Sequence, residues 1–350
     1  MNRPVSLYLD LLRPLAAFMV LLSHASFLNL TGGQLGFMAS TGVQAVDFFF
    51  VLSGFVIAYV SATRETSPHD YFVNRAARIY SVAVPAIILT LLLDYVGQKA
   101  NAATYEGPFQ VFTAGLFIRS ILFVGEQWNA HRFPGSDGPY WSLGFEVWYY
   151  VAFGAFVFGP RRYRWLLSGA VLVFIGPKVA VLFPLWLMGV ATYHLCQRRN
   201  ISKFAGWCLF AIPIALLAGY QMIPRSPFQP FIPFSFEPER LRSTMQDYFL
   251  AALFSANLIG FSAVSDSFAP WLERHAKTIR WIAGGTFSLY LVHLPIMHFL
   301  AAVSPWASNS PWTLAVLVGV TPMVCYAFAE VTERRKNAWR NLILKALNRG

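Results

Sequence analysis

Residues 280–303 read RWIAGGTFSLYLVHLPIMHFLAAV, and residues 311–330 read PWTLAVLVGVTPMVCYAFAE. In each run the residues are predominantly apolar over about 20 positions, which is the length that an α-helix needs to cross the ~30 Å hydrocarbon core of a bilayer. Both runs therefore predict transmembrane helices.

The composition of the whole chain agrees with this prediction. Of the 350 residues, 56% are hydrophobic and 12% are charged, whereas about a quarter are charged in soluble proteins. Neither intrinsic disorder nor a set of soluble domains fits so apolar a sequence. The three cysteines, Cys196, Cys208 and Cys325, form no CxxC pair, which excludes a disulfide scaffold. The predicted fold class is an all-α polytopic membrane protein.

We predict about ten transmembrane helices. They lie near residues 8–28, 43–61, 78–97, 139–159, 164–176, 178–195, 204–223, 244–264, 280–303 and 311–330. A further apolar run, residues 108–124, is interpreted as a half-inserted or interfacial segment. A full crossing there would reverse the sidedness of the earlier spans relative to the later ones. Residues 1–330 then form one transmembrane domain, and residues 331–350 form a basic tail.

The formal net charge is +11, and its distribution predicts the orientation. With ten spans, 19 of the 27 lysines and arginines fall on the side of the C-terminal tail and seven on the other side. Cytoplasmic segments are enriched in Lys and Arg, so we predict that both termini are cytoplasmic. The tail is interpreted as facing membrane lipid, and nucleic acid is not an expected partner.

Arg13 and His24 lie within the first predicted span. An ionisable side chain costs about 2.5–3.5 kcal/mol there, so it needs a partner, a cavity or a function. The two residues are 11 positions apart, so on a helix they share a face and lie about 16 Å apart along the axis. Taken singly, a snorkelling arginine and a hydrogen-bonded packing histidine are equally good explanations.

The second span opens with Asp47, which is followed by FFFVLSGF at residues 48–55. Ser53 and Gly54 are small residues of the kind that let helices approach closely in lipid. Asp47 is interpreted either as an interfacial cap or as a functional carboxylate.

Arg75 and Arg78 enter the third span on one helical face, at i and i+3. Such a pair is typical of a cytoplasmic anchor. It also suits a phosphate-rich ligand that arrives from the cytoplasm.

The fourth span begins with PYWSLGFEVWYY at residues 139–150. This stretch places Glu146 two turns into an aromatic-rich helix, with Ser142 on the same face. An ionised carboxylate at that depth needs a cationic partner, and without one the group is protonated.

In the ninth span, His293 lies within SLYLVHLPI, residues 288–296, just before Pro295. Proline interrupts the backbone hydrogen bonds of a helix. The favoured interpretation of His293 is a structural histidine that satisfies freed backbone groups.

Together these segments resemble the membrane acyltransferase 3 family, whose members O-acylate bacterial surface polysaccharides. The motifs occur in the family's order over about 320 residues. They are Arg13-x10-His24, Gly42 with Asp47 to Phe55, Arg75-x2-Arg78-Ile79-Tyr80, Trp141-Ser142-Leu143-Gly144-Phe145-Glu146 and Tyr290-Leu291-Val292-His293-Leu294-Pro295-Ile296. One departure is Ser81, which stands where the family usually has proline.

The resemblance implies a cytoplasmic acyl-CoA donor, with acetyl-CoA as the family default, contacted by Arg75 and Arg78. The acceptor would be a hydroxyl of a polysaccharide or a lipid-linked sugar outside the bacterial cytoplasmic (inner) membrane. Acyl-CoA is a co-substrate here, and we expect neither a permanently bound cofactor nor a metal. No oligomeric state is predicted.

Within this resemblance His24 is the candidate general base or acyl carrier, because a neutral imidazole accepts a proton well near neutral pH. Asp47 or Glu146 is expected to fix the imidazole tautomer, and Arg13 to position the donor or a carboxylate. Further site candidates are Ser53, Trp141, Ser142, Tyr290 and His293.

Two other classes of function stay open. Buried arginine, histidine and glutamate on broken helices also suit a proton-coupled transporter of an anionic small molecule. A scaffold role is less favoured, because a scaffold does not need such costly charges. Consumption of acyl-CoA by the purified protein distinguishes the enzyme from both.

The charge distribution generates a test of orientation. In single-cysteine variants of a cysteine-free background, we expect positions near residues 35 and 130 to react with an impermeant maleimide in intact cells. Positions near residues 70 and 340 should stay unlabelled until the membrane is broken. Labelling near residue 70 in intact cells, with residue 340 protected, would mean that residues 108–124 cross the membrane.

Overall fold

The computed structural model describes residues 1–65, 67–106, 109–198, 201–220 and 238–347. Over these ranges the chain forms α-helices and short 3₁₀ turns, with no β-strand. The helices are α1 (Arg3–Ala25), α2 (Leu28–Thr31), α3 (Thr41–Thr63), α4 (Pro68–Ala100), α5 (Ala114–Ile121), α6 (Tyr140–Phe158), α7 (Arg164–Ile175), α8 (Pro177–Ala180), α9 (Phe183–Gln197), α10 (Lys203–Tyr220), α11 (Pro238–Arg274), α12 (Ala276–Ala283), α13 (Thr286–Ala302), α14 (Pro311–Val331) and α15 (Lys336–Leu347). The ends of two predicted segments, residues 221–223 and 348–350, lie outside the described residues.

These helices confirm the predicted all-α polytopic membrane fold. In the described part of the chain, eight segments are long and apolar enough to cross a membrane, with a ninth if α12 and α13 count as one broken span. The exception is the predicted fifth span. Helix α7 has 12 residues and rises about 18 Å, which is less than the thickness of the hydrocarbon core. The ten predicted spans thus correspond to nine candidate spans and one short apolar helix.

The ambiguous run at residues 108–124 contains only α5, which has eight residues. Pro108 itself lies outside the described residues. A helix of eight residues rises about 12 Å. This segment therefore does not cross the bilayer as a continuous helix.

The chain divides into two compact units, each built from segments that are distant in sequence. Unit 1 comprises Met1–Ala16, Val43–Thr66 and Pro177–Ala283, and unit 2 comprises Ala17–Gly42, Ser67–Gly176 and Gly284–Gly350.

In unit 1, α3 and α9 pack closely at small residues. A Cβ atom at Gly54 of α3 would overlap the carbonyl oxygen of Trp186, and one at Gly189 of α9 would overlap the carbonyl oxygen of Val51. Ser53 Oγ accepts a hydrogen bond from Trp186 Nε1 at 3.2 Å. The close helix packing predicted from Ser53 and Gly54 is confirmed, because the two backbones approach to a distance that only glycine permits.

Helix α13 is the most buried long helix of unit 2. All its residues from Ser288 to His298 are buried, and it packs against α4 and α14. Helix α4 also packs against α6 and α15, and Arg340 Nε of α15 donates a hydrogen bond to Asn74 Oδ1 of α4 at 3.0 Å. The side chains of α13 are thus held on several sides by other helices of the same unit.

Two buried carboxylates lie where the segment before α6 contacts α4. Asp94 of α4 accepts hydrogen bonds from Ser136, at 2.9 Å from the backbone N–H and 2.5 Å from Oγ. Asp137 is fully buried, and within the described residues neither of its carboxylate oxygens has a donor in hydrogen-bond geometry. Burial, and then the charge of Asp94, raises the pKa of Asp137 well above its ordinary value.

We expect Asp137→Asn to raise the melting temperature in detergent by about 2–5 °C at pH 7–8. The folded-state pKa of Asp137 lies above its unfolded value of about 3.9, so its contribution to stability is lost as the pH rises through the folded-state pKa. An amide does not ionise, and the gain should therefore shrink toward pH 4. The exposed Asp266→Asn is the control and should change the melting temperature little. Equal increases in melting temperature at pH 4 and pH 8 would show that the ionisation of Asp137 is not the cause.

Candidate active site

Two of the predicted histidines meet in unit 2. His24 lies in the last turn of α1 and is partly buried, whereas His293 lies in the middle of α13 and is fully buried. His24 Nδ1 is 2.7 Å from His293 Nε2. The two rings are nearly parallel, with centroids 5.0 Å apart and planes inclined by 19°. The structure thus joins residues from opposite ends of the sequence in one hydrogen bond.

The backbone of α13 fixes which nitrogen atoms carry protons. His293 Nδ1 lies 2.8 Å from the carbonyl oxygen of Tyr290 and 3.0 Å from that of Leu289. A carbonyl oxygen only accepts, so His293 Nδ1 carries a hydrogen, and in the neutral ring Nε2 is an acceptor. His24 Nδ1 must then donate to it. The remaining nitrogen of His24, Nε2, holds an unprotonated lone pair.

This geometry corrects one expectation and refines another. The group that fixes the tautomer of His24 is His293, not the carboxylate of Asp47 or Glu146. His293 does contact the backbone, but at the carbonyls of Leu289 and Tyr290 and not at that of Leu291, which Pro295 frees. This contact uses only one of the two ring nitrogens. The other faces His24, so packing alone does not account for His293.

Tyr290 and Ser142 connect α13 to the start of α6. The Tyr290 hydroxyl and Ser142 Oγ are 2.6 Å apart, and Ser142 Oγ donates to the carbonyl oxygen of Pro139 at 3.1 Å. The Tyr290 hydroxyl also lies 3.5 Å from the same carbonyl oxygen, so the two hydroxyls share one acceptor. Trp141, half-buried beside them in sequence, packs edge-on against Phe145 with ring centroids 5.1 Å apart.

Asp137 is a neighbour of this group that the sequence analysis did not single out. Its charge acts on both Tyr290 and Tyr140. Asp137 precedes the α6 motif by only a few residues, but a carboxylate in a predicted loop gives no local signal that it is buried. Its burial depends on α4, which contributes Asp94.

Glu146 has a hydroxyl donor and an electrostatic partner in unit 2. The carboxylate accepts a hydrogen bond from the Tyr150 hydroxyl, and it interacts electrostatically with Arg78. The guanidinium of Arg75 lies over the rings of Tyr71 and Tyr150, at 5.4 and 6.0 Å from their centroids. The two arginines predicted to contact a donor are therefore both placed beside α6.

Three predicted site residues belong to unit 1. Arg13 pairs with Asp10 at 3.2 Å, and both side chains are about one-fifth exposed. Asp47 is buried on α3, and Ser53 is bound to Trp186. Within the described residues, no three His, Cys, Asp or Glu side chains are arranged to hold a metal ion.

Comparisons with known proteins agree with the motifs. A family model described as an acyltransferase domain matches residues 6–330. The peptidoglycan O-acetyltransferase OatA of Listeria monocytogenes is 23% identical over 95% of this chain and 56% of its own length. An O-acetyl transferase of Shigella phage Sf6 is 42% identical over 42% of this chain and 45% of its own length.

A third relative, the exopolysaccharide production protein ExoZ of Rhizobium meliloti, is 30% identical over 38% of this chain and 40% of its own length. The chain thus spans about half the length of the curated relatives it matches. No solved structure matches it. Because the family model covers nearly the whole chain and all five motifs, the chain belongs to the acyltransferase 3 family.

Proposed function

We propose that this chain transfers an acyl group, acetyl in the first instance, from acyl-CoA to a hydroxyl of a cell-surface or exopolysaccharide sugar. The observation that carries the proposal is the His24–His293 hydrogen bond, which leaves a lone pair on His24 Nε2. A hydroxyl needs a base in order to attack a thioester, and a neutral imidazole is a suitable base near neutral pH. Membership of the family and the names of two relatives support the same reaction.

In the proposed reaction, His24 Nε2 takes the proton of the acceptor hydroxyl as its oxygen attacks the thioester carbonyl carbon. The carbon–sulfur bond then breaks, and the imidazolium returns the proton to the CoA thiolate. The products are the O-acyl sugar and free CoA. A base of this kind contributes about 10²–10⁴-fold to the rate. In the alternative two-step route, the same Nε2 first takes the acyl group and then passes it to the acceptor oxygen.

His293 acts through His24 in this scheme. With its own Nδ1–H held by two backbone carbonyls, it offers Nε2 as a fixed acceptor. As His24 becomes protonated, its Nδ1–H becomes a stronger donor, so the hydrogen bond to His293 strengthens as charge develops. His293 is therefore a positioning residue, and His24 is the residue that touches the reacting atoms.

The donor is proposed to reach the site from the cytoplasm, with its phosphates near Arg75 and Arg78. Guanidinium groups bind phosphate through paired hydrogen bonds, and the two arginines lie on one face of α4 at i and i+3. We place the protein in the bacterial cytoplasmic membrane with both termini inside. The acceptor would then be a polysaccharide or a lipid-linked sugar at the outer face.

We expect His24→Gln to reduce acyl transfer by about 10²-fold or more, because an amide cannot take the proton. Transfer is measured from labelled acyl-CoA to an isolated glycan, with purified protein in liposomes. Glutamine keeps a similar volume and a hydrogen-bonding end, so expression and melting temperature should stay near those of the wild type. His194→Gln, an exposed histidine on α9, is the matched control.

His293→Gln should cause a smaller loss of turnover than His24→Gln, because the residue orients the base without touching the substrate. Near wild-type turnover in well-folded His24→Gln would refute the mechanism. Equal losses at the two positions would show that His293 has a direct role. A wild-type protein that consumes no acyl-CoA would refute the enzyme and favour a transporter.

The two arginines can be separated by single substitutions. Arg75→Ala should raise the apparent KM for acyl-CoA by about tenfold, with a smaller effect on turnover. Arg78→Ala should raise KM and also lower turnover, because Glu146 and Glu333 lose an electrostatic partner. The exposed Arg64→Ala is the control. If the apparent KM for acyl-CoA is unchanged in both folded variants, the two arginines serve only as a membrane anchor.

A further inference from the structure

We propose that Glu333 is a positioning residue for the His24–His293 pair, because it caps the helix that carries His293. This inference rests on the proposed function for its catalytic consequence. Glu333 lies in the 3₁₀ turn Glu333–Arg335 that follows α14. Its carboxylate accepts the backbone N–H of Ser288 at 2.9 Å and that of Phe287 at 3.4 Å.

Helix α13 lacks a cap of its own. Its N-cap residue is Gly285, which has no side chain to accept a hydrogen bond from the first turn. The first backbone N–H groups of a helix have no partner within the helix, and they form the positive end of its dipole. Phe287 and Ser288 are the second and third helical residues, whose N–H groups a local Ser or Asp cap would normally bind. Glu333 supplies that acceptor from 45 residues away.

Arg78 is an electrostatic partner of the cap. Its guanidinium interacts electrostatically with both Glu146 and Glu333, and the same attraction acts on Glu333. One cation thus links α4 to α6 and to the start of α13.

The cap affects the histidine pair because His293 is part of α13 and takes its position from that helix. His293 lies five residues after Ser288, about 7.5 Å further along the helix axis. Its Nδ1 is bound to carbonyls of α13 itself, so the position of Nε2 follows the position of the helix. The 2.7 Å contact with His24 tolerates a shift of only a few tenths of an ångström. Fixing the first turn of α13 therefore fixes the acceptor that orients His24.

The chain offers a matched control for this role. Glu330 lies three residues before Glu333, near the end of α14, but its side chain is 52% exposed and pairs with Arg334 at 3.2 Å. Glu330→Ala removes the same group at a position that does not touch α13. Glu333→Gln keeps an acceptor oxygen for Ser288 and loses only the charge.

The test combines hydrogen–deuterium exchange with acyl transfer. In Glu333→Ala, the peptide that covers residues 286–293 should exchange faster than in the wild type and in Glu330→Ala. Turnover per folded protein should fall about tenfold to 10²-fold, and the apparent KM for acyl-CoA should stay within about twofold. Glu333→Gln should recover most of the turnover, because its amide oxygen still accepts from Ser288.

Unchanged exchange over residues 286–293 in Glu333→Ala would overturn the cap. Faster exchange with wild-type turnover would overturn the positioning role, since the cap would then be structural only. Loss of turnover in Glu333→Gln equal to that in Glu333→Ala would also overturn it, and would assign the effect to charge. If the wild-type protein transfers no acyl group, the proposed function fails, and the exchange measurement still decides the cap by itself.

Discussion

The charge of Arg78 is the constraint that couples the helices of unit 2. An ionised side chain within a membrane-spanning helix needs a partner or a cavity, and Arg78 interacts electrostatically with Glu146 of α6 and with Glu333 after α14. Because these two carboxylates come from different parts of the chain, one guanidinium acts electrostatically on several helices. The Tyr150 hydroxyl donates to Glu146 and completes this arrangement.

From this cation a continuous set of contacts leads to the histidine pair. Glu333 binds the first turn of α13, and the carbonyls of Leu289 and Tyr290 in the next turn bind His293. His293 then orients His24 through a neutral ring nitrogen. A neutral partner brings no charge of its own to this hydrogen bond. The arrangement suits a base that must be neutral before it accepts a proton.

Different interactions hold the helices together in the two units. In unit 1, α3 and α9 approach until their backbones touch at Gly54 and Gly189, so dispersion and shape hold them together. In unit 2, buried polar groups on α4, α6 and α13 bind one another, and each group needs its partner. Asp137 is the exception, since burial next to Asp94 destabilises its ionised form.

The sequence by itself determined the membrane class, the helical fold, the approximate limits of nine spans and the family, because apolar length and short motifs are local properties. It also identified Glu146 as a residue that is either protonated or paired with a cation. Only the tertiary structure decided that His293 binds His24 Nδ1 and that Glu333 caps α13. These partners are up to 269 residues apart. No local sequence pattern predicts a contact between residues so far apart, since each contact exists only when helices from separate segments pack together.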